Sequence, residues 1–123
     1  LESSALYKLS SIKNHIISLG GGSLIEKRNN LKVKSLGILV WMDVPISAIA
    51  WRLSRDVLQI KKRPYLSKAL GFDNFKDRGD MIAKDLTKIY KERVEDYKKA
   101  DIIVSDCYST PLDYAKKIKK AIF

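Results

Sequence analysis

Hydrophobic residues recur every three or four positions in four stretches of the chain, and this spacing predicts amphipathic helices. The first stretch opens the chain, the third is the longest, and the fourth ends the chain. We expect the apolar stripe of each helix to face the core. The stripes consist of Leu1, Ala5, Leu6, Leu9 and Ile12; Ile46, Ile49, Ala50 and Leu53; Ile82, Leu86, Ile89, Tyr90, Val94 and Tyr97; and Leu112, Ala115, Ile118 and Ile122.

Short runs of consecutive hydrophobic residues lie between these helices and predict three β-strands. The runs cover residues 15–19, 38–44 and 101–104. The middle run is almost continuously apolar, as is typical of a strand that is covered on both faces. Two helix starts carry capping residues. Ser23 and Glu26 have the spacing of a capping box, and Thr110 with Pro111 is typical of an N-cap and a first helical position.

Helices that alternate with buried strands predict an α/β fold with a parallel sheet. Residues 54–71 carry many charges and have weak periodicity, so we expect a mobile connection there. The sequence contains no internal repeat and no linker that would divide it. Residues 1–123 are therefore predicted to belong to one domain.

The composition excludes several classes of protein. Apolar residues make up 46% of the 123 residues, which is near the average of globular proteins and excludes a wholly disordered chain. The longest apolar run, residues 36–42, is far shorter than the ~20 residues of a membrane span, so we expect no membrane partner. The single cysteine, Cys107, excludes an internal disulfide framework and a cysteine-based zinc site, and it favours the reducing cytoplasm.

The chain is strongly basic, with 24 basic and 14 acidic residues and a formal net charge of +10. Three explanations are open: a lysine-rich solvated surface, a nucleic-acid-binding surface, and a pocket for a phosphorylated or carboxylate-bearing small molecule. The lysines are spread along the chain, and aromatic residues do not interleave with them. We therefore expect no nucleic-acid partner.

A run of three glycines is the first candidate for a binding site. Gly20, Gly21 and Gly22 lie between a predicted strand and a predicted helix start. This arrangement presents backbone N–H groups and the positive end of a helix at the carboxyl end of a strand, where open α/β sheets bind ligands. Residues without side chains let a ligand approach the backbone. A flexible turn is the alternative, and the spacing does not match the GxGxxG fingerprint.

Four further residues carry charge or metal-binding chemistry. Arg93 lies on the side of the apolar stripe of the third helix, where a guanidinium needs an anionic partner or extends from the edge to solvent. Arg63 lies in residues 54–71, where it either clamps phosphate on closure or is simply exposed. Asp43 ends a strand and either binds a metal or, as we favour, caps the next helix. His15 has no partner at ligand spacing and is interpreted as a packing residue.

The ordered set of motifs resembles the shikimate kinase family, and the resemblance runs through the whole chain in the family's order. The matching parts are Glu2, residues 16–22, residues 39–43 with the following Arg52, residues 63–66, residues 93–97 with Ala100 and Asp101, and Pro111. Residues 63–66 are Arg-Pro-Tyr-Leu and are similar to the Arg-Pro-Leu-Leu lid motif of the family. The resemblance implies a P-loop kinase-like three-layer α/β sandwich with a parallel sheet. It also implies transfer of the γ-phosphoryl group of ATP to the 3-hydroxyl of shikimate, a step of aromatic amino acid and chorismate biosynthesis.

The resemblance further implies how the acceptor binds. Gly20, Gly21 and Gly22 match the glycines whose backbone lines the shikimate pocket. Arg93 matches the arginine that binds the shikimate carboxylate. Glu2 matches the acid that holds another arginine of that pocket in place.

On the nucleotide side, the resemblance implies that residues 54–71 form a mobile lid over ATP. Arg63 matches the lid arginine that reaches the transferring phosphate, which makes it both the catalytic and an ATP-binding residue. Arg52 and Pro111 match the pair that sandwiches adenine. Ser109 stands where some members carry a further arginine that contacts the nucleotide.

The family's phosphate-binding loop, of the GxxxxGK[ST] type, does not occur in this chain. The match begins just before Glu2, so the resemblance implies the C-terminal two-thirds of the enzyme, without the first two strands of the sheet. ATP and Mg²⁺ are the implied cofactors, with Mg²⁺ held mainly by the absent loop. We expect the 123-residue chain alone to be inactive, and the full-length protein to be a monomer.

Two alternatives remain open at the level of sequence. One is a related small-molecule kinase of the same fold, and the other is a shikimate-kinase-like fragment without catalysis. The combination of Gly20, Gly21 and Gly22 with Arg93 favours an acidic polyol over a nucleotide as the phosphoryl acceptor.

Overall fold

A computed structural model describes residues 2–105 and 110–123, without the side chains of Glu2 and Ser3. The described part contains two strands and six α-helices, together with one 3₁₀ segment. In chain order they are α1 (Glu2–Leu9), α2 (Lys27–Leu36), β1 (Val40–Asp43), α3 (Ile46–Ser54), α4 (Val57–Lys61), the 3₁₀ segment (Pro64–Gly71), α5 (Phe75–Tyr97), β2 (Ile102–Ser105) and α6 (Pro111–Ile122). The predicted α/β class is confirmed.

The two strands pair in parallel, with Val40 opposite Ile102 and Asp43 opposite Ser105. The pairing begins just before the strands, where the Leu39 N–H donates to Asp101 Oδ2 at 2.8 Å. The Leu39 carbonyl accepts from the backbone N–H of Asp101 at 2.9 Å. This reciprocal contact aligns the strands, so their carboxyl ends lie at the same edge of the sheet.

The strand predicted at residues 15–19 is wrong. Residues 15–20 have no regular secondary structure, and Ile16 is fully exposed. A strand needs a neighbour for its N–H and C=O groups, and the sheet of the described residues contains only β1 and β2. The capping box is wrong as well, because α2 begins at Lys27 with Glu26 as its N-cap, while Ser23 is buried in the preceding turn.

Residues 54–71 are helical rather than irregular. They contain α4 and the 3₁₀ segment, and Ile60, Leu66 and Ala69 are fully buried there. These side chains pack with Ala50 of α3 and Ile82 of α5 in one core cluster. In this structure the segment is therefore part of the core, and its movement as a lid stays a prediction.

A second core cluster supports the glycine run. It is formed by Leu6 of α1, Leu24, Val33 of α2 and Leu39, all less than a tenth exposed. Tyr97, at the end of α5, packs against this cluster. The end of α5 thus lies beside the glycine run, although the two are far apart in the sequence.

The last helix begins as predicted, but its core face differs. Thr110 is the N-cap in a complete capping box with Asp113, and Pro111 is in the first turn. Tyr114 is the buried residue of α6, whereas Leu112 is 64% exposed and Ala115 and Ile122 are also exposed. In the described part of the chain, α6 packs mainly against the short β2, which covers too little area to bury the whole stripe. Across residues 2–105 and 110–123, the helices are too short or too polar to cross a bilayer.

Candidate functional site

The three glycines form a tight turn whose carbonyl groups are engaged within the protein. The Gly20 carbonyl accepts from the Ser23 N–H at 3.0 Å, and the Gly22 carbonyl accepts from the Ile25 N–H at 3.2 Å. The Gly21 carbonyl accepts a 2.6 Å hydrogen bond from Tyr97 Oη. The N–H groups are therefore the backbone groups through which this turn can contact an anion.

Arg93 lies directly against the glycine turn. A Cβ atom added to Gly21 would lie 3.0 Å from Arg93 Nη1, and one added to Gly22 would lie 3.6 Å from Arg93 Nη2. The described glycines all have negative or extended φ angles, so backbone conformation does not require glycine here. The requirement at Gly21 is space: the guanidinium occupies the volume that a side chain would fill.

The Arg93 guanidinium has hydrogen-bonding capacity that the described residues leave unused. Its Nε atom is buried and has no acceptor. The ion pairs within residues 2–105 and 110–123 include Arg28–Glu26, Lys98–Glu95 and Lys99–Asp96. Arg93 takes part in none of these pairs. A half-buried guanidinium without a carboxylate partner is costly unless an anion completes it, so this arrangement favours anion binding.

Tyr97 is a member of this site that the sequence did not identify. Its apolar spacing places it in the stripe of α5, but its hydroxyl group contacts Gly21 and its ring lies 5.6 Å from that of Trp41 on β1. A sequence cue was present, because Tyr97 follows Arg93 by four positions and so lies on the same face of the helix.

Arg63 is not joined to the glycine turn by any interaction found within the described residues. Its Nη1 atom donates to the backbone carbonyl of Gln59 and to Gln59 Oε1, both at 2.8 Å. These bonds hold the guanidinium against α4.

Arg52 and Pro111 are exposed and lie on α3 and α6, the helices that follow β1 and β2. The backbone of Glu2 is in α1, but its side chain lies outside the described residues. Leu1, Cys107 and Ser109 lie outside them entirely.

Asp43 does not cap α3, which corrects our preferred interpretation. The N-cap of α3 is Pro45 and makes no side-chain capping bond. Asp43 Oδ2 instead accepts from Ser105 Oγ of the neighbouring strand at 3.4 Å. His15 is exposed rather than packed in a core, and its Nδ1 atom lies 2.5 Å from the Lys13 carbonyl.

A separate surface depression of about 610 Å³ lies between α1 and α2, lined by Tyr7, Lys27, Arg28, Leu31 and Lys32. It does not include the glycine turn or Arg93. In the parts of the chain that the structure describes, no group of three or more histidine, cysteine, aspartate or glutamate residues could hold a metal ion.

Parallel strands, flanking helices and a basic glycine-lined site are consistent with an α/β protein of the P-loop kinase-like class. A family model described as shikimate kinase matches residues 1–123. The chain belongs to the shikimate kinase family.

Individual relatives agree with the family model. The chain is 35% identical to shikimate kinase 1, chloroplastic, of Oryza sativa subsp. japonica over 85% of this chain and 31% of the relative. It is 32% identical to a shikimate kinase of Microcystis aeruginosa over 99% of this chain and 56% of the relative. A shikimate kinase of Persephonella marina is 25% identical over 96% of this chain and 62% of its own length. The chain therefore spans between 31% and 62% of the length of these relatives. No solved structure matches the chain at a significant level.

Proposed function

We propose that the protein of which this chain is part is a shikimate kinase, which transfers the γ-phosphoryl group of ATP to the 3-hydroxyl of shikimate. The single observation that carries the proposal is the contact of Arg93 with the glycine turn. The guanidinium lies against Gly21 and Gly22, and its buried Nε atom has no acceptor among the described residues. This is a place for an acidic small molecule, and family membership says which acidic molecule to test first.

In this proposal, Arg93 binds the carboxylate of the acceptor and the glycine N–H groups contact its oxygen atoms. The interaction of Arg93 with the carboxylate is stronger than an ordinary hydrogen bond, because both partners are charged. The purpose of both interactions is positioning: phosphoryl transfer is accelerated mainly by placing the acceptor hydroxyl in line and by neutralising charge.

ATP is proposed to bind on the side of Arg52, Arg63 and Pro111. Arg52 and Pro111 are exposed, which is compatible with a role in stacking on adenine. Mg²⁺ is proposed to arrive with the ATP phosphates. The described residues do not fit a metal site, since no cluster of three ligands is found among them, and no residue of this chain is assigned to the ion.

We propose that residues 54–71 act as a lid and that Arg63 supplies positive charge to the transferring phosphoryl group. Arg63→Ala in the full-length protein should lower kcat by about 100-fold or more, since removal of one group that stabilises transition-state charge costs that much. The dissociation constant for shikimate should change little. Lys62→Ala, at the exposed neighbouring position, is the control and should leave kcat unchanged. If Arg63→Ala weakened the binding of ATP and of shikimate equally, Arg63 would have only a structural role, through its bonds to Gln59.

Gly21 tests the close approach of the arginine. Gly21→Ala places a Cβ atom 3.0 Å from Arg93 Nη1, so the guanidinium must shift by a few tenths of an ångström. We expect the KM for shikimate to rise about three- to tenfold, because a displaced charge-assisted bond loses part of its ~1.5–3 kcal/mol. Gly37→Ala is the matched control, since a Cβ atom there meets nothing within 4 Å. Equal KM values for shikimate in the two variants would contradict the close contact between Arg93 and Gly21.

The activity itself is tested by ADP release from the full-length gene product. We expect release that depends on shikimate and is lost when the carboxylate of shikimate is converted to its methyl ester. ADP release with a nucleoside monophosphate, and none with shikimate, would instead support a related kinase of another specificity.

The same proposal covers the partners and the compartment of the protein. The proposed partners are small molecules, and neither a nucleic acid nor a membrane is among them. The single cysteine of the chain supports a reducing compartment such as the cytoplasm. A monomer is proposed, and the molecular mass of the full-length protein in solution checks it.

A further inference from the structure

We infer that Tyr97 is a positioning residue for the acidic substrate, because its hydroxyl group fixes the orientation of the peptide between Gly21 and Gly22. The inference rests on the proposed function, and it adds a residue whose hydroxyl group acts through the glycine turn. Tyr97 Oη donates to the Gly21 carbonyl at 2.6 Å, which is a short hydrogen bond.

The consequence of this bond lies in the geometry of a peptide. The described chain contains no cis peptide bond, so the Gly21 carbonyl and the Gly22 N–H point in opposite directions. A carbonyl held toward Tyr97 therefore turns the Gly22 N–H away from Tyr97. Glycine has wide conformational freedom, so a peptide between two glycines rotates easily unless something holds it. Tyr97 supplies that hold.

The same residue also connects the turn to the cation. Tyr97 follows Arg93 by one helical turn of α5, and both side chains approach the same glycine: a Cβ atom at Gly21 would lie 3.0 Å from Arg93 Nη1 and 3.5 Å from Tyr97 Oη. One rigid helix thus carries the guanidinium and the group that orients the N–H donor. Their relative position is fixed before substrate arrives.

The tyrosine ring is itself held from the other side. Its centroid lies 5.6 Å from that of Trp41, with the ring planes tilted by 39°. The ring also packs against the cluster of Leu6, Leu24, Val33 and Leu39. Packing by strand β1 and by the core therefore aims the hydroxyl group, and removal of the hydroxyl alone leaves the ring in place.

The experiment compares Tyr97→Phe with Tyr90→Phe in the full-length protein. Tyr90 is half-buried on the same helix and is not part of the site. We expect Tyr97→Phe to raise the KM for shikimate about two- to tenfold, the range for one lost hydrogen bond, with kcat and the KM for ATP nearly unchanged. Such a split indicates that an interaction with bound shikimate is lost while the chemical step is intact. Tyr90→Phe should leave all three values unchanged.

A second readout keeps the inference separate from the proposed function. The backbone NMR order parameter of the Gly22 N–H should be lower in Tyr97→Phe than in Tyr90→Phe, because the released peptide samples more orientations, whatever the substrate is. A wild-type protein that does not use shikimate would overturn the proposed function, and the order parameters would then decide the positioning role alone. An unchanged Gly22 order parameter in Tyr97→Phe would overturn the inference, as would an unchanged KM for shikimate in a protein that uses shikimate.

Discussion

Arg93→Ala should reduce kcat/KM for shikimate by about tenfold to more than a hundredfold, while the KM for ATP changes little. The guanidinium is half-buried against Gly21 and Gly22 and lacks an acidic partner among the described residues. A charge-assisted hydrogen bond in such a place contributes about 1.5–3 kcal/mol, and 1.4 kcal/mol is a factor of ten. The measurement is steady-state kinetics of the full-length protein with shikimate and ATP varied in turn.

Two further variants separate charge from geometry. Arg93→Lys retains the positive charge but loses the planar fork of the guanidinium, so its kcat/KM should fall between those of the wild type and Arg93→Ala. Lys91→Ala removes an exposed charge from the same helix and should have no effect. Near-normal shikimate kinetics of Arg93→Ala would contradict the assignment of Arg93 to the shikimate-binding site.

Leu66→Ala should lower the free energy of unfolding by about 2–5 kcal/mol, the range for truncation of a fully buried leucine. Leu66 is completely buried in the cluster that joins α3, α4, the 3₁₀ segment and α5. A loss of this size is a large part of the roughly 5–15 kcal/mol that stabilises a typical domain. Urea unfolding of the full-length protein measures the loss.

Leu58→Ala is the matched control because it makes the same change in the same segment at a side chain that is 69% exposed. Its effect should lie within about 0.5 kcal/mol of zero. Similar, small effects of the two substitutions would mean that residues 54–71 are the mobile connection that their charge pattern predicts. In that case Arg63 would not be held against Gln59 in solution.

The long helix shows what the sequence can and cannot predict. Its stripe from Ile82 to Tyr97 is regular, and the helix is present. Its first turns were missed because residues 75–80 carry no apolar stripe; their start is set by Asn74, whose side chain accepts from the Asp77 N–H at 2.8 Å. A polar cap is a local cue, and it is easily overlooked when periodicity alone is used.

The secondary structure of residues 15–19 and 54–71 differs from the prediction for opposite reasons, while the mobility of the second segment stays a prediction. The first segment is apolar, but a strand depends on a partner that lies elsewhere in the chain, and no local pattern supplies one. The second segment is charged, yet it buries Ile60, Leu66 and Ala69 through a short helix and a 3₁₀ segment. An α-helix and a 3₁₀ segment have different numbers of residues per turn, so the hydrophobic residues of this segment show no single periodicity.

The site was predicted in its parts and not in its arrangement. The glycine run and the position of Arg93 beside an apolar stripe each indicated an anion site. Their direct contact depends on how the end of α5 packs beside the turn, which is a tertiary property. Tyr97 was missed because its hydroxyl group is part of the site while its ring belongs to the apolar stripe.

The most direct test of the account is an NMR titration of the full-length protein with shikimate, in which the signals of the Arg93 Nε–H and the Gly21 and Gly22 amides are followed. We expect all three signals to shift together and to saturate with one affinity, and shikimate methyl ester to cause no such shift at the same concentrations. Saturable binding of shikimate that leaves these three signals unmoved would contradict the assignment of the acidic substrate to Arg93 and the glycine turn.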